Sequence, residues 1–235
     1  MDKYSILKQY YGHSAFRAGQ EELIDSILSG RDALCVMPTG GGKSLCYQIP
    51  ALLLPGITLV VSPLISLMKD QVAALKSAGV PAAYINSSLT GEQIRTVYAR
   101  TRKGAYKLIY VAPERLETNS FLSLMQEMDV SFLAVDEAHC ISQWGQDFRP
   151  SYLGIVDFIN ALPRRPIVAA YTATATKQVQ SDILRLLQLQ SPYRIVTGFD
   201  RPNLYFDVRR PKNKFSALAA LIDERRGGGG GGRVA

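Results

Sequence analysis

The sequence predicts an α/β fold, a central and mainly parallel sheet with helices on both faces. Seven short β-rich runs alternate with helical stretches. Several of these runs are apolar at every position, not at every second one, and the first leads directly into a glycine-rich loop that opens a helix. Strands that are apolar throughout are buried on both faces, which is the condition of strands in a parallel sheet. Strand–helix alternation then implies right-handed crossovers. Sheets of this kind bind ligands beyond the carboxyl ends of their strands.

The first run, Ala33–Met37, precedes Met37-Pro38-Thr39-Gly40-Gly41-Gly42-Lys43-Ser44 and a helix beginning near Leu45. The second, Ile57–Ser62, is followed by a helix over Leu64–Ser77, where Leu67, Met68, Val72 and Leu75 form one apolar stripe. After the third, Ala82–Asn86, Thr90 and Gln93 have the spacing of a capping box for a helix through Lys103. Leu108–Ala112 and Phe132–Asp136 are the fourth and fifth runs. The sixth, Ile167–Thr172, leads to a helix over Lys177–Leu187 with Val179, Ile183, Leu186 and Leu187 on one face, and Arg194–Thr197 is the seventh.

The end of the chain differs. Phe206–Val208 is a possible further strand, Arg209–Lys214 a basic linker, and Phe215–Arg226 a helix with Leu218, Leu221 and Ile222 on one face. Gly227–Gly232 is a run of six glycines whose backbone entropy opposes regular structure; a natural linker and an artefact of cloning or sequencing both fit it. The expected organisation is a domain over 1–205, a linker and helix over 206–226, and an unstructured tail over 227–235.

With 235 residues, 47% hydrophobic and 20% charged, the chain has enough apolar side chain for a real core, and global disorder is excluded. A net charge of +7 leans toward a polyanionic partner. Cys35, Cys46 and Cys140 are too few and too scattered for a disulfide framework or a zinc site, so they read as reduced core thiols and no zinc is expected. The first residues lack the apolar stretch of a signal peptide, and no run approaches the roughly 18 residues of a membrane helix. A cytoplasmic protein without membrane association is the expectation.

Two segments carry chemistry. In the loop after the first strand, glycines let backbone N–H groups converge on phosphate oxygens, and the helix N-terminus adds its positive dipole end. Lys43 would neutralise phosphate charge and Ser44 would offer its hydroxyl to Mg²⁺. Met37 stands where the strict phosphate-loop pattern has glycine, which points to a variant class. The second segment, Asp136-Glu137-Ala138-His139, sits at the carboxyl end of an apolar run. Asp136 there can hold Mg²⁺ through water, and Glu137 can orient or deprotonate an attacking water.

A loop ending in TGGGKS together with DEAH resembles the superfamily 2 helicases. Ser62-Pro63-Leu64, Pro113-Glu114-Arg115 and Thr172-Ala173-Thr174-Ala175, each after a strand, agree with it. The resemblance implies that the first two line a nucleic-acid track and that the third couples it to the nucleotide site. Cys140–Pro150, directly after DEAH, is similar to the aromatic-rich loop of RecQ-type DNA helicases, as are MPTGGGKSLCYQIPA and Phe199-Asp200-Arg201-Pro202-Asn203. In that loop Trp144 and Phe148 offer flat faces for unpaired bases and Arg149 offers charge. Trp144 as a core anchor is the alternative, but its neighbours Gln143, Gly145 and Gln146 are polar. The family usually has His where this chain has Gln146, an amide that hydrogen-bonds but carries no proton.

Tyr11–Gln20 resembles the family's adenine-reading segment, which assigns adenine recognition to Gln20, a stacking role to His13 and an assisting one to Arg17. A side-chain amide can pair with adenine N6 and N7 together. The resemblance runs from about Tyr4 to Asn203 and implies a RecA-like lobe of an ATP-dependent helicase. Such an enzyme takes ATP and Mg²⁺, moves 3′ to 5′ on single-stranded DNA and separates duplex DNA in recombination and repair. A second RecA-like lobe would be its partner, supplying arginine fingers, so the 235-residue chain alone is expected to bind nucleotide and DNA weakly and to hydrolyse ATP near background. An RNA helicase or another translocase, and a binding module without autonomous activity, are the competing readings.

Overall fold

A computed structural model describes residues 1–197 and 210–227, which fall into two units, Met1–Phe199 and Asp200–Ala235. The first unit contains all seven anticipated strands: β1 (Ala33–Val36), β2 (Ile57–Val61), β3 (Ala82–Ile85), β4 (Leu108–Val111), β5 (Val130–Val135), β6 (Ile167–Thr172) and β7 (Tyr193–Val196). They form one sheet in the order β3-β4-β2-β5-β6-β1-β7, and each neighbouring pair is parallel. Every residue of β1, β2, β4 and β5 is buried, as their unbroken apolar runs require.

Most strands end one residue earlier than the sequence suggests, but the residue beyond the ladder stays attached. Met37 N–H donates to Thr172 O (3.0 Å), Ser62 N–H to Val111 O (3.1 Å), Ala112 N–H to Ile85 O (3.2 Å) and Asp136 N–H to Val61 O (2.9 Å). Four chain segments therefore leave the sheet along one carboxyl edge, each held in register by its neighbour.

The helices predicted after β1, β2, β3 and β6 are α3 (Lys43–Leu53), α4 (Ile65–Ser77), α5 (Gly91–Arg102) and α9 (Lys177–Leu186). Both arms of the Thr90–Gln93 capping box form. Met68, Val72 and Leu75 of α4 are buried, whereas Leu67 is turned partly outward. On α9, Val179 and Ile183 are buried with Leu187 at the cap, but Leu186 is only partly covered.

The pattern also missed helices. α1 (Lys3–Tyr11) and α2 (Gln20–Leu28) precede the sheet, and α6 (Pro113–Leu116), α7 (Asn119–Gln126) and α8 (Gly154–Ala161) flank β5. The Asp2 side chain caps α1 at Ser5 N, and Lys3 pairs with Asp25 of α2. Leu7, Ile24 and Ile49 close a small apolar layer between α1, α2 and α3.

All three cysteines are buried free thiols. In the second unit, α10 (Lys214–Gly227) includes the anticipated helix, and its last residue is the first glycine of the hexaglycine. The strand expected at 206–208, the segment 199–203 and the rest of the tail lie outside the described residues. Among the described residues no helix is long and apolar enough to cross a membrane.

Candidate active site

The glycine-rich loop folds as its composition demands. Gly40 and Gly42 have φ of +80° and +85°, backbone that side chains other than glycine resist. A Cβ at Gly41 would lie 2.5 Å from Met37 Cγ, and one at Gly42 would strike Gln20 Nε2. Met37, at the position where the strict pattern has glycine, is buried and fills the space beneath Gly41. The loop ends at α3, whose first turn has no side-chain cap. That leaves N–H groups and the positive dipole end of α3 facing out of the loop, the arrangement the anion-binding expectation requires.

A cleft of about 420 Å³ lies over this loop. It gathers His13, Arg17, Gln20, Thr39, Gly40, Gly42, Lys43, Ser44, Asp136 and Glu137. Of the nucleotide set, Gly41 alone does not line the cleft; its N–H bonds back to Pro38 O at 2.9 Å. Lys43 Nζ donates to Met37 O (3.0 Å). Gln20 is almost fully buried: Nε2 donates to Gly41 O (3.2 Å) and Gly42 O (3.3 Å), and Oε1 accepts from Arg17 N–H (2.9 Å). Arg17 Nη1 in turn donates to Gly40 O (2.5 Å). Both residues brace the loop in this arrangement. An amide has two N–H donors and two acceptor lone pairs; the loop carbonyls engage both donors, so pairing with adenine N6 and N7 together requires Gln20 to release one of them, while Oε1 keeps a free lone pair.

Leu67 and Gln71 of α4 also line the cleft, and no local pattern marks either for that role. Gln71 Oε1 accepts from Gln48 Nε2 (2.9 Å), which also donates to the Tyr110 hydroxyl (3.0 Å). Gln71 is thereby fixed from behind, on the helix that begins just after Ser62-Pro63-Leu64.

Asp136 is buried at the end of β5, its Oδ1 accepting from Glu137 N–H (3.0 Å) and its backbone O from the Tyr152 hydroxyl (2.9 Å). Glu137 has φ of +47°, left-handed backbone that costs a non-glycine residue about 1–3 kcal/mol. That turn lets its carboxylate line the cleft while Ala138 enters the core. His139 Nδ1 lies 3.0 Å from Thr172 Oγ1 and 3.3 Å from Glu137 Oε2, and Thr172 Oγ1 donates to Thr174 O (3.0 Å). A chain of contacts thus runs from the Glu137 carboxylate through His139 to Thr174.

Burial, and then the Glu137 charge, push the Asp136 carboxyl up to about 6. The neighbouring Cys140 and Glu137 raise the His139 imidazole to about 10, and His139 holds Glu137 below the usual carboxylate range. The ionised Asp136 is disfavoured by the fold, so a proton competes with any cation as pH falls through about 6. Mg²⁺-dependent nucleotide affinity is expected to drop over that range, and Asp136→Asn is expected to lower the affinity and remove the pH step. Titrations of a fluorescent ATP analogue between pH 5 and 8 check this. For His139, protonation is favoured by the fold, so its stabilising contribution is complete below about 6.5 and lost as pH rises through about 10.

Among the described residues no three His, Cys, Asp or Glu side chains gather to hold a metal by themselves. A Mg²⁺ at Ser44 and Asp136 would therefore complete its shell with phosphate and water oxygens, its usual manner.

The second group of expected residues lies along the same sheet edge. Ser62 is buried with its hydroxyl unpartnered, and Pro63 O accepts from Arg149 Nη1 (3.2 Å). Arg149 also forks onto Asp147 Oδ2 through Nε (3.0 Å) and Nη2 (2.9 Å). Pro113 is buried at the start of α6, Arg115 is half-buried, and exposed Glu114 accepts from the Ser151 hydroxyl (3.1 Å). Trp144 is 75% exposed, flanked by exposed Gln143 and Gln146, with Phe148 half-buried; the core-anchor alternative for Trp144 does not hold. A cleft of about 80 Å³ brings His139, Trp144, Gln146 and Thr174 together. His139 thus belongs to both clusters.

Residues 17–182 match the DEAD/DEAH box helicase family. The ATP-dependent DNA helicase RecQ of Bacillus subtilis is 51% identical over 89% of this chain, which spans 36% of that protein. RecQ of Haemophilus influenzae is 49% identical over 93% of the chain, which spans 35% of it. The chain therefore spans about a third of the length of these relatives. Among solved structures, the helicase MrfA bound to DNA is similar with a TM-score of 0.67 at 16% identity, covering 84% of this chain and 29% of that one. The Hef helicase domain of Pyrococcus furiosus is similar with a TM-score of 0.60 at 21% identity, covering 77% and 38%. At such identities the likeness is one of fold.

Proposed function

From the premise that the chain belongs to the DEAD/DEAH box helicase family, and to its RecQ type by sequence, we propose that it is the ATP-binding lobe of an ATP-dependent 3′-to-5′ DNA helicase. Its setting in this reading is the unwinding of duplex DNA during recombination and repair, in the cytoplasm or nucleoid. The observation that carries the reading is the meeting of Lys43, Ser44, Asp136 and Glu137 in one cleft, joined through His139 and Thr172 to the exposed Trp144 loop.

Lys43 and the free N–H groups of the loop would hold the phosphates of ATP. Ser44 and Asp136 would hold Mg²⁺, which when bound neutralises charge developing on the phosphates. Glu137, kept ionised by His139, would orient the attacking water and receive its proton. Gln20 would select adenine, with His13 against the base and Arg17 beside it. Along the same sheet edge, Trp144 and Phe148 would stack on unpaired bases, while Arg115 and Arg149 meet phosphates beside Ser62, Pro63, Pro113 and Glu114. Closure against a second RecA-like lobe would complete the hydrolytic site.

Base stacking on one aromatic ring is worth roughly 1–3 kcal/mol, so Trp144→Ala is expected to weaken oligothymidylate binding by about fivefold or more. Fluorescence anisotropy of a labelled oligonucleotide measures it, with an RNA of the same length beside it. Unchanged DNA affinity in Trp144→Ala, or RNA bound more tightly than DNA, would remove the DNA half of the proposal.

A further inference from the structure

Trp144 projects into solvent, so packing of its ring does not fix its direction. Its backbone does. Trp144 N–H donates to Ser142 Oγ (3.2 Å), and Ser142 Oγ donates in turn to Asp182 Oδ2 (2.7 Å). Ser142 and Asp182 are both buried. Gly145 N–H donates to Ser142 O (2.9 Å), and a Cβ on Gly145 would strike His139 O, so the turn carrying Trp144 is closed on both sides.

Asp182 stands on α9 between Val179 and Ile183, on the buried side of the helix. Nothing in the packing there calls for a carboxylate, and burying one is costly without hydrogen-bonded partners. It has them in Ser142 and in Arg185, whose Nη2 donates to the other oxygen (3.1 Å); these partners hold its carboxyl below the usual range. The start of α9 is bound to the segment before it. The Thr176 hydroxyl accepts from Val179 N–H (3.3 Å), and Gln180 Nε2 donates to Ala175 O (3.0 Å). Any shift of Thr172–Thr176 therefore carries the first turns of α9, and Asp182, with it.

We infer that Asp182, outside every motif that marks the nucleotide cleft and the nucleic-acid track, is a positioning residue that ties the Trp144 loop to the helix following Thr172–Thr174. Its consequence for nucleic acid rests on the proposed role of Trp144. The link gives the loop a second connection to Thr172, parallel to the one through His139.

Trp144 is the single tryptophan, so fluorescence excited on the long-wavelength tryptophan edge, clear of the twelve tyrosines, reads this loop alone. In Asp182→Ala and in Ser142→Ala, time-resolved Trp144 anisotropy is expected to lose its slow, tumbling-limited component. Oligothymidylate affinity is expected to fall as well, while affinity for a fluorescent ATP analogue stays at the wild-type value. Asp182→Asn keeps the shape and an acceptor and is expected to retain most of the slow component; Arg185→Ala should match wild type. Far-UV circular dichroism confirms folding, and if Asp182→Ala does not fold, Ser142→Ala decides, because it leaves the carboxylate paired with Arg185. Trp144 anisotropy indistinguishable from wild type in folded Ser142→Ala would overturn the inference. Mobilisation of Trp144 in a chain whose wild type binds no oligonucleotide supports the anchor and counts only against the nucleic-acid reading.

Discussion

Replacing Asp32 by Ala is expected to destabilise the first unit by about 3–5 kcal/mol, the range for breaking a buried ion pair from one side. Asp32 immediately precedes β1 and is 3% exposed. Its carboxylate accepts from Arg165 Nη1 (3.1 Å) and Nη2 (2.6 Å), from Val168 N–H (2.9 Å) and from Gln190 N–H (2.7 Å). One side chain therefore fastens the amino ends of β1 and β6 and the turn before β7. The pair need not be worth much against a well-packed apolar substitute, because desolvation offsets most of the attraction. Truncation is different: it leaves two backbone N–H groups and a largely covered guanidinium without their acceptor. Urea denaturation followed by circular dichroism measures the effect. Asp32→Asn, with one acceptor oxygen remaining, should lose less. The cleft lies at the opposite, carboxyl edge of the sheet, so nucleotide affinity per folded molecule should stay near wild type. A loss below about 1 kcal/mol would place the anchoring of these strands in their apolar contacts instead.

Such a cluster shows where reading the sequence stops. Asp32, Arg165, Val168 and Gln190 are brought together only by the β6-β1-β7 order, which no local pattern encodes. The strands themselves were legible because burial on both faces leaves runs such as ITLVV and SFLAV without a polar position. Their carboxyl ends were legible for the opposite reason: Ser62, Asp136 and Thr172 are polar residues where the apolar run breaks. α1 and α2 were missed because they are short. α1 has an Asp2 cap but a weak apolar stripe, and α2 follows Gly19, which offers no side-chain cap. In the cleft, local sequence marked the residues on the loop and beside Asp136. It did not mark Gln71, which reaches the cleft from α4 as the stripe turns, or the bracing of Gly41 and Gly42 by Gln20. The exposure of Trp144 is legible because its neighbours are polar and it interrupts no apolar period. The contact of His139 with Thr172 depends on β5 and β6 lying side by side, which again is a property of the sheet order.

Lys43→Ala is expected to weaken binding of a fluorescent ATP analogue by roughly 10- to 100-fold, since hydrogen bonds to charged groups contribute about 1.5–3 kcal/mol each. Lys43 Nζ now rests on Met37 O, a neutral acceptor that it can exchange for phosphate oxygen at little cost. Its charge also acts within the cleft, where it lowers both Asp136 and Glu137. Without it, phosphates would enter a cleft holding two carboxylates and no lysine ammonium, leaving Arg17 at the rim and the α3 N-terminus to offset them. Asp136 would hold its proton to higher pH, so the Mg²⁺-dependent part of the affinity should suffer along with the direct contact. The variant should therefore show a smaller response to added Mg²⁺ than wild type, and its pH step should lie above about 6. Lys43→Arg separates charge from shape: a planar fork on a longer stem restores the charge but fits poorly beside a turn in which Gly41 packs on Met37 and Gly42 on Gln20. It should recover part of the Mg²⁺ response and little of the affinity. Equal affinities for wild type and Lys43→Ala would show that the nucleotide does not sit on this loop, and the assignment of Ser44 and Asp136 to the metal would fall with it.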